Sequence, residues 1–187
     1  MQHVMVDLET LGQTPGYAIL SIGAIQFFPE GGSYALAEEG FYAVLNTDDC
    51  KDHYLAEEPD TIAWWDRQTP EAQQVRQLAA DAKTSIPLKL GLENFNNYLG
   101  SIGGKKEVCV WGNGSDFDNA GLAVAYKMAG IKPYWEFWNN RCYRTFKNLC
   151  PGPKLERIGT YHNALDDARS QALHLVDVAK RHPTLKW

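Results

Sequence analysis

HVMVDLET, residues 3–10, is the stretch that decides the fold. Its even-numbered apolar residues alternate with the others, which is the period-two pattern of a β-strand. Side chains two apart on a strand face the same side, so Asp7 and Glu9 project side by side from the strand's end. Two such carboxylates repel each other unless one is protonated or a cation lies between them. The pair predicts half of a metal site built from hard oxygen ligands, with a solvated strand end as the alternative.

Length and composition predict a folded domain without a membrane partner. A chain of 187 residues with 44% hydrophobic content is long enough for one core, so we expect a single domain over residues 1–187. The sequence has no apolar stretch long enough to span a membrane, and its N-terminus lacks a signal-peptide pattern. A cytoplasmic protein with free thiols is predicted, because no Cys-x-x-Cys pair occurs among Cys50, Cys109, Cys142 and Cys150.

Charge is segregated along the chain, although the net charge is only −5. Residues 30–60 hold nine acidic side chains and one basic one, whereas residues 131–157 hold six basic and two acidic side chains. Aromatic residues are interleaved with the basic ones in the second segment. This mixture suits single-stranded nucleic acid, because phosphates attract cations and bases stack on flat rings. A surface helix with its apolar face in the core is the alternative for this segment.

The hydrophobic pattern predicts alternating strands and helices after the first strand. An apolar strand over residues 19–28 ends at a turn over residues 29–32 and pairs with residues 41–45 as an antiparallel hairpin. Gly100 and Gly130 are each expected to end a helix. The other predicted elements are a helix capped by Asp60, one starting near Pro70, helices over 88–99, 117–129 and 163–181, and a short buried strand over 107–111. This order indicates an α/β fold, with helices packed on a mixed sheet.

WGNGSDFDNAGL, residues 111–122, passes from strand to helix and holds two aspartates. Ser115 or Asp116 is expected at the helix N-cap, which is a sufficient structural reason for an acid there. Asp118 is four residues before Leu122 and seven before Ala125, so it shares the face that packs on the sheet. A carboxylate on that face is costly unless it is paired or metal-bound, and Asp118 is therefore the candidate ligand.

YHNALDDA, residues 161–168, supplies the last predicted site residues. Asn163 is a good N-cap, and Asp166 in the first helical turn has a structural role beside that cap. Asp167 is the residue after Asp166 in the helix. Its side chain is expected to lie off the apolar stripe of the helix and nearer to His162. A histidine before a helix is usually a surface or capping residue. Here it precedes an acid by five residues in a chain with three other candidate carboxylates, which favours catalysis.

Three motifs together resemble those of the DEDDh 3′→5′ exonucleases. They are Asp7-x-Glu9, Phe117-Asp118 with Leu122 four residues later, and His162-x4-Asp167. The sequences DLETLG, ILSIGA and WGNG are similar to those of a phage and bacterial exoribonuclease branch that includes mycobacterial ribonuclease AS and T-even phage exonuclease A. The resemblance implies a ribonuclease H-like fold, with a mixed five-stranded sheet flanked by helices. The extra acid Asp116 is a departure, so the ligand of the second motif is assigned from helix geometry together with the motif.

The resemblance also implies a site and a substrate. Two divalent cations, Mg²⁺ or Mn²⁺, would be held by Asp7 as the bridging ligand, Glu9 and Asp167 on one ion, and Asp118 on the other. His162 would act as the general base towards the attacking water. Thr10 and Leu11 would grip the terminal nucleotide of a single-stranded 3′ end, with Leu11 wedged against its base. The products would be nucleoside 5′-monophosphates.

Three alternatives stay open at the level of sequence. RNA is favoured over DNA only through the nearer relatives, because no residue pattern here identifies a contact to the ribose 2′-hydroxyl. A catalytically silent nucleic-acid-binding module on the same fold is a poor fit, since all five site positions are filled. A homodimer is compatible with the resemblance, and Trp64, Trp65 and Trp135 are candidates for its interface, with burial in the core as the simpler alternative.

Overall fold

Five strands form one mixed sheet within the described residues of the computed structural model, which are 1–30, 34–185 and 187. The strands are β1 (Gln2–Thr10), β2 (Ile19–Phe27), β3 (Phe41–Val44), β4 (Val108–Gly112) and β5 (Asn140–Cys142), in the spatial order β3-β2-β1-β4-β5. The β1–β2 and β2–β3 pairs are antiparallel, whereas β4 runs parallel to both β1 and β5. The carboxyl ends of β1, β4 and β5 therefore lie at the same end of the sheet.

Helices cover both faces of this sheet. They are α1 (Thr47–Asp52), α2 (Pro59–Trp65), α3 (Pro70–Ala80), α4 (Leu88–Ile102), α5 (Ala120–Met128), α6 (Tyr143–Leu149) and α7 (Ala164–Lys180). Even-numbered residues of β1 face the larger apolar core, which also contains residues of α3, α4 and α5. Met5 faces the smaller core beneath α7, which packs across β1 and β2. The predicted α/β fold with a mixed five-stranded sheet flanked by helices is confirmed.

Gly23 brings the start of α7 onto the sheet at the level of Asp7, its partner in the β1–β2 register. A Cβ atom on Gly23 would lie only 2.1 Å from the backbone of Ala164 and Leu165, so any larger residue would push the helix away. The close approach holds the first turns of α7 directly over the face from which Asp7 and Glu9 project. This packing brings the third sequence motif to the first.

Several predicted boundaries differ from the observed ones. The helix expected from a cap at Asp60 begins at Pro59, because proline suits the first helical position. The next helix begins at Pro70 as predicted, with Thr69 as its cap. Helix α4 continues through Gly100 to Ile102, since its buried leucine and phenylalanine stripe outweighs one glycine. Gly130 follows α5 with a left-handed φ of 70°, in agreement with the prediction.

Other sequence expectations concern turns, membranes and tryptophans. The hairpin between β2 and β3 is antiparallel as predicted, but Gly31 and Gly32 of its expected turn lie outside the described residues. No helix in the described part of the chain is long and apolar enough to cross a membrane. Trp65 and Trp135 are buried in the core, the simpler of the two predicted fates, so they do not form a dimer face. Trp64 remains 38% exposed.

Candidate metal centre and active site

Four predicted carboxylates converge at the carboxyl end of β1. Asp7 and Glu9 project from β1, Asp118 comes from the turn before α5, and Asp167 comes from the first turn of α7. Glu9, Asp118 and Asp167 are buried, and Asp7 is partly exposed. The charges of the other three all act on Asp7, so the four acids form one electrostatic cluster.

Asp118 is held in place by an irregular start to its helix. A single π-helical turn, Ser115–Asn119, precedes α5, and such turns are frequent at functional sites. Asp118 Oδ1 accepts a hydrogen bond of 3.3 Å from the backbone N–H of Leu8, whereas Oδ2 is buried with no hydrogen-bond partner among the described residues. Gly112 permits this position, because a Cβ atom there would lie 2.8 Å from the Asp118 Cβ.

Asp116 has a different environment from Asp118. It is exposed, and the N-cap position ahead of the π-helical turn belongs to Gly114, so the predicted cap at Ser115 or Asp116 is wrong. Gly114 has a φ of 133°, a conformation that glycine adopts readily and other residues rarely do. The structure thus separates the two aspartates of this motif into one at the surface and one in the acid cluster.

His162 lies beside Asp167 in a constrained backbone conformation. Its φ is 60°, which is uncommon for a residue other than glycine, and its backbone N–H donates to Asp167 Oδ2 over 3.2 Å. Its ring packs edge-on against Trp64, with centroids 5.0 Å apart. One ligand atom from each of Glu9, His162 and Asp167 lies within 4.8 Å of the other two. The imidazole is therefore close enough to serve the same reaction centre as the carboxylates.

Helix α7 begins as the sequence predicted. The Asn163 side chain accepts hydrogen bonds from the backbone N–H groups of Leu165 and Asp166 at 3.1 and 3.2 Å. Asp166 Oδ2 accepts from the N–H of Thr160 at 2.8 Å, so this carboxylate ties down the preceding segment instead of joining the cluster. The two neighbouring acids thus have different roles, one structural and one facing the cluster.

Crowding of buried acids raises their pKa values. Loss of water around Asp7, followed by the charges of Asp118, Glu9 and Asp167, holds its pKa well above the usual range. Burial and the neighbouring acids raise the pKa of Glu9 to about 8, and burial raises that of Asp118 to about 7. Burial also raises the pKa of Asp167. Burial lowers the pKa of His162, although the charge of Asp167 opposes this effect.

Two polar residues in contact with the cluster were not identified from the sequence. Arg157 forms an ion pair with Asp167 Oδ1, and its guanidinium lies 4.0 Å from the centre of the Tyr161 ring. Gln171 Nε2 donates to Asp7 Oδ1 over 2.7 Å. Gln171 could have been found, because it lies four residues after Asp167 on the same helix face. Arg157 lies in an irregular segment without periodicity, so no sequence pattern indicates its contact with the acids.

The donor set fits divalent cations. Carboxylate oxygens are the ligands that hard divalent cations prefer, and a buried group of four such acids is costly without positive charge. Asp118 Oδ2, buried and unpaired within the described residues, is an atom that a cation would satisfy. Arg157 forms a direct ion pair with Asp167, and the amide of Gln171 brings no charge to Asp7. The chemistry of the residues present therefore agrees with the predicted metal site.

A cleft of about 240 Å³ opens beside Glu9. Its walls include aromatic and hydroxyl side chains, namely those of Thr10, Thr61, Trp64, Trp65 and Phe117. Thr10 therefore lies where the sequence predicted a substrate contact, and its backbone carbonyl accepts a hydrogen bond from Trp65 Nε1. Leu11 is buried and lines a separate cavity with Leu20 and Thr47, because its side chain lies on the core side of the chain. The sequence suggested Trp64 and Trp65 as an interface and did not identify them as walls of this cleft.

Comparison with solved structures supports the fold. The chain is similar to the nuclease domain of 3′hExo, a DEDDh family member in a complex with rAMP, with 14% identity, a TM-score of 0.62, and coverage of 99% of this chain and 94% of that one. Cell-death related nuclease 4 (CRN-4) gives 14% identity and a TM-score of 0.62 over 96% of this chain and 64% of that one. E. coli exonuclease I, in complex with a dT13 oligonucleotide, gives 16% identity and a TM-score of 0.63 over 97% of this chain and 41% of that one.

Comparison of the sequence with family models is more specific. No curated protein matches the chain significantly. The model of the Rv2179c-like 3′-5′ exoribonuclease domain matches residues 2–179, a range that contains all the motifs described above. The narrower resemblance to phage exonuclease A stays a prediction. The chain belongs to the family of Rv2179c-like 3′-5′ exoribonuclease domains.

Proposed function

We propose that this protein hydrolyses single-stranded nucleic acid from its 3′ end, with RNA as the favoured substrate, and releases nucleoside 5′-monophosphates. The observation that carries the proposal is the convergence of Asp7, Glu9, Asp118 and Asp167 at one end of β1, with His162 beside them. Acids this crowded have raised pKa values and a need for positive charge, which divalent cations meet.

Asp7, Glu9, Asp118 and Asp167 would hold two divalent cations, Mg²⁺ or Mn²⁺. When bound, such a pair of ions stabilises both the attacking and the leaving oxygen of an in-line displacement at phosphorus. Gln171 would orient the Asp7 carboxylate through the bond that its amide donates. The Asp167 carboxylate would hold its cation beside Arg157, which forms an ion pair with Oδ1 of the same group.

His162 would act as the general base. Burial lowers its pKa, so the ring is neutral at physiological pH and can accept a proton. As the water oxygen attacks phosphorus, the imidazole takes the water's proton and the bond to the departing 3′ oxygen breaks. The left-handed backbone at His162 and its hydrogen bond to Asp167 fix where the ring stands relative to Glu9.

The cleft beside Glu9 would receive the terminal nucleotide. Trp64 and Phe117 offer flat surfaces for its base, and Thr10 offers polar atoms close to the carboxylates. Leu11 would act through the packing of this loop, since its own side chain is buried. A terminal nucleotide in this cleft would have its phosphodiester beside Glu9 and the acid cluster. This placement favours removal of one nucleotide at a time over internal cleavage.

RNA is favoured because the matching family is described as exoribonucleases. An exodeoxyribonuclease of the same fold is the second candidate, because the chemistry of the residues that line the cleft does not by itself distinguish ribose from deoxyribose. A catalytically silent binding module is disfavoured, because it would retain four crowded, mutually repelling acids without using them.

The direct test is digestion of 5′-labelled single-stranded RNA and DNA of one sequence in Mg²⁺, Mn²⁺ or chelator. We expect a ladder that shortens one nucleotide at a time from the 3′ end, faster for RNA, and only with the divalent ions. Asp118→Asn is the matched inactive control. Undiminished activity in chelator, or internal fragments at the earliest times, would contradict the proposal.

A further inference from the structure

An exposed aromatic pair lies at the β5 edge of the sheet, away from the acid cluster. Phe137 and Trp138 are 77% and 56% exposed, and their ring centroids are 5.0 Å apart. Both belong to a 3₁₀ turn, Phe137–Asn139, that leads directly into β5, the last strand of the sheet. Two large rings exposed side by side are an apolar patch of the kind that marks an interaction surface.

Basic residues adjoin this pair. Arg141 Nη1 donates to the backbone carbonyls of Trp138 and Asn140, each at 3.0 Å, so the guanidinium is fixed beside the rings. The carbonyl of Lys106 accepts a 3.0 Å bond from Asn139 Nδ2, which ties the Lys105–Lys106 turn to the same place. Lys105 lies 3.7 Å from Glu136, whereas in the described part of the chain no carboxylate lies within 4.0 Å of the charged groups of Lys106 or Arg141.

Arg141 also forms one wall of a cleft of about 240 Å³ on the α7 side of the sheet. The other walls include the aromatic rings of Trp111, Phe146 and Trp187. The Trp111 and Phe146 rings stand at 89° to each other with centroids 5.9 Å apart. The partly exposed rings of Phe146 and Trp187, beside this guanidinium, offer stacking and cation–π contacts to an unpaired base, and the guanidinium offers a positive charge to its phosphate.

This surface is continuous with the catalytic end of the sheet. Arg141 pairs with Trp111 in the parallel β4–β5 ladder, and Cys142 pairs with Gly112. Arg144 follows at the start of α6, and its guanidinium lies 3.4 Å from the position that a Cβ atom on Gly114 would occupy. Positive charges therefore lead along β5 from the aromatic pair to the motif that carries Asp118.

We propose that the β5 edge is a second nucleic-acid contact surface, which binds the part of a single strand that lies upstream of the terminal nucleotide. Bases stack on Phe137 and Trp138, and phosphates lie against Lys106 and Arg141. This inference rests on the proposed function, because it takes the strand's 3′ end to be in the acid cluster. A second copy of the chain is the less suitable occupant, since a two-fold contact would bring the same cations of both copies together.

The test is strand binding in chelator, where no hydrolysis is expected. Fluorescence anisotropy with 5′-labelled single-stranded RNAs of about 20 and about 3 nucleotides separates an extended surface from the terminal site. Phe137→Ala/Trp138→Ala should weaken binding of the long RNA at least about fivefold, because each stacked base contributes a factor of this size or more. Binding of the short RNA should be unchanged. Tyr54→Ala, at an 85% exposed ring far from β5 in the sequence, is the matched control.

The basic residues give a second readout that does not depend on the rings. Lys106→Gln and Arg141→Gln should each make the negative slope of log affinity against log salt shallower by about 0.7 for the long RNA, because one phosphate contact is lost. Lys83→Gln, an exposed lysine after α3, is the control and should leave the slope unchanged. Circular dichroism melting of every variant shows whether the fold is retained.

The outcomes separate this surface from the catalytic proposal. Equal affinity of the aromatic double variant and the parent protein for long RNA would overturn the β5 surface, even if mononucleotides are released in Mn²⁺. A change of oligomeric state in sedimentation, with unchanged RNA affinity per protomer, would overturn it in favour of a contact between copies. If the double variant loses long-RNA binding and the parent protein releases no mononucleotide, the β5 surface is upheld and the proposed exonuclease activity is contradicted.

Discussion

The two ends of α7 hold histidines in opposite circumstances. In its second half, His174 is buried with both ring nitrogens in contact: Nδ1 lies 2.8 Å from the Tyr143 hydroxyl, and Nε2 lies 2.7 Å from the carbonyl oxygen of Pro153. Just before the helix, His162 is half-buried, and no residue in the described ranges forms a hydrogen bond with its ring nitrogens. The His174 ring ties the segment before α7 to the helix, whereas the ring nitrogens of His162 stay available to another molecule within the described residues.

The acids of the first turn differ in the same way. Asp166 accepts a backbone hydrogen bond and pairs with Arg169, whereas Asp167 faces Glu9 and the imidazole. A buried polar group with its partners in place stabilises a fold, and one held among like charges lowers stability. These two contrasts distinguish residues whose polar groups hold the fold together from residues that would carry the reaction.

The largest expected effect comes from removing an acid of the cluster. Asp118→Asn should lower turnover by orders of magnitude, because it removes a charge on which cation binding depends. The melting temperature in chelator should be unchanged or higher, since repulsion within the cluster decreases. Single-turnover rates on labelled RNA and thermal melts of the same preparation measure both effects. A variant that unfolds without losing specific activity would make Asp118 a structural residue.

Replacement of the two histidines compares the ends of α7 directly. His162→Ala should reduce turnover roughly 10²- to 10⁴-fold, the usual contribution of a well-placed general base. The parent's rate should rise with pH through the lowered pKa of His162, and the variant should lose that rise. Cation binding should survive, because His162 is not proposed as a ligand.

His174→Ala is the matched control for this replacement. It should lower the free energy of unfolding by about 1–3 kcal/mol, since it leaves buried hydrogen-bond partners unsatisfied. Turnover per folded molecule should remain close to that of the parent. If the two variants exchanged these effects, His162 would be a structural residue that precedes a helix, and its proposed role would be wrong.

The sequence predicted the regular parts of this molecule and the acids that lie on them. Val4, Val6 and Leu8 alternate along β1, so the shared face of Asp7 and Glu9 followed from its period. Asp118 was identified because it continues the apolar face of α5. Strand β5 has only three residues, Asn140–Cys142, too few to show a period, and its place in the sheet depends on pairing with β4. Arg157 reaches Asp167 from an irregular segment, and only the tertiary structure brings them together.

Cation binding should raise thermal stability by offsetting repulsion at one end of α7. Saturating Mg²⁺ or Mn²⁺ should increase the melting temperature, and a cation at one hundred times its dissociation constant contributes about 2.7 kcal/mol. Asp7→Asn should reduce the increase, and His174→Ala should preserve it from a lower starting value. Differential scanning fluorimetry against chelator measures the shifts. An unchanged melting temperature in the parent protein would contradict a shared cation site.

The acids should also make the cation-free protein less stable at high pH. Glu9 and Asp118 have folded-state pKa values of about 8 and about 7, above their usual values of 4.5 and 3.8. Raised pKa values favour folding while the acids stay protonated, and this contribution is lost as the pH rises through the folded-state values. In chelator, the melting temperature should therefore fall between about pH 4 and pH 8, and Glu9→Gln should flatten the curve. A parent curve that rises over this interval would be inconsistent with buried, mutually repelling acids.

The smallest effect is expected at Asp116, which tests how local the acid cluster is. Asp116 is only two residues from Asp118, but it is exposed and the N-cap position belongs to Gly114. Asp116→Asn should therefore change the free energy of unfolding by only a few tenths of a kcal/mol, as for exposed positions without special contacts. Turnover should change modestly, because the carboxylate of Asp116 does not face Glu9 or Asp167. Comparison with Asp118→Asn in the same melting and turnover assays decides the assignment, since a larger loss of turnover at Asp116 would mean that the exposed aspartate, not the buried one, is the ligand.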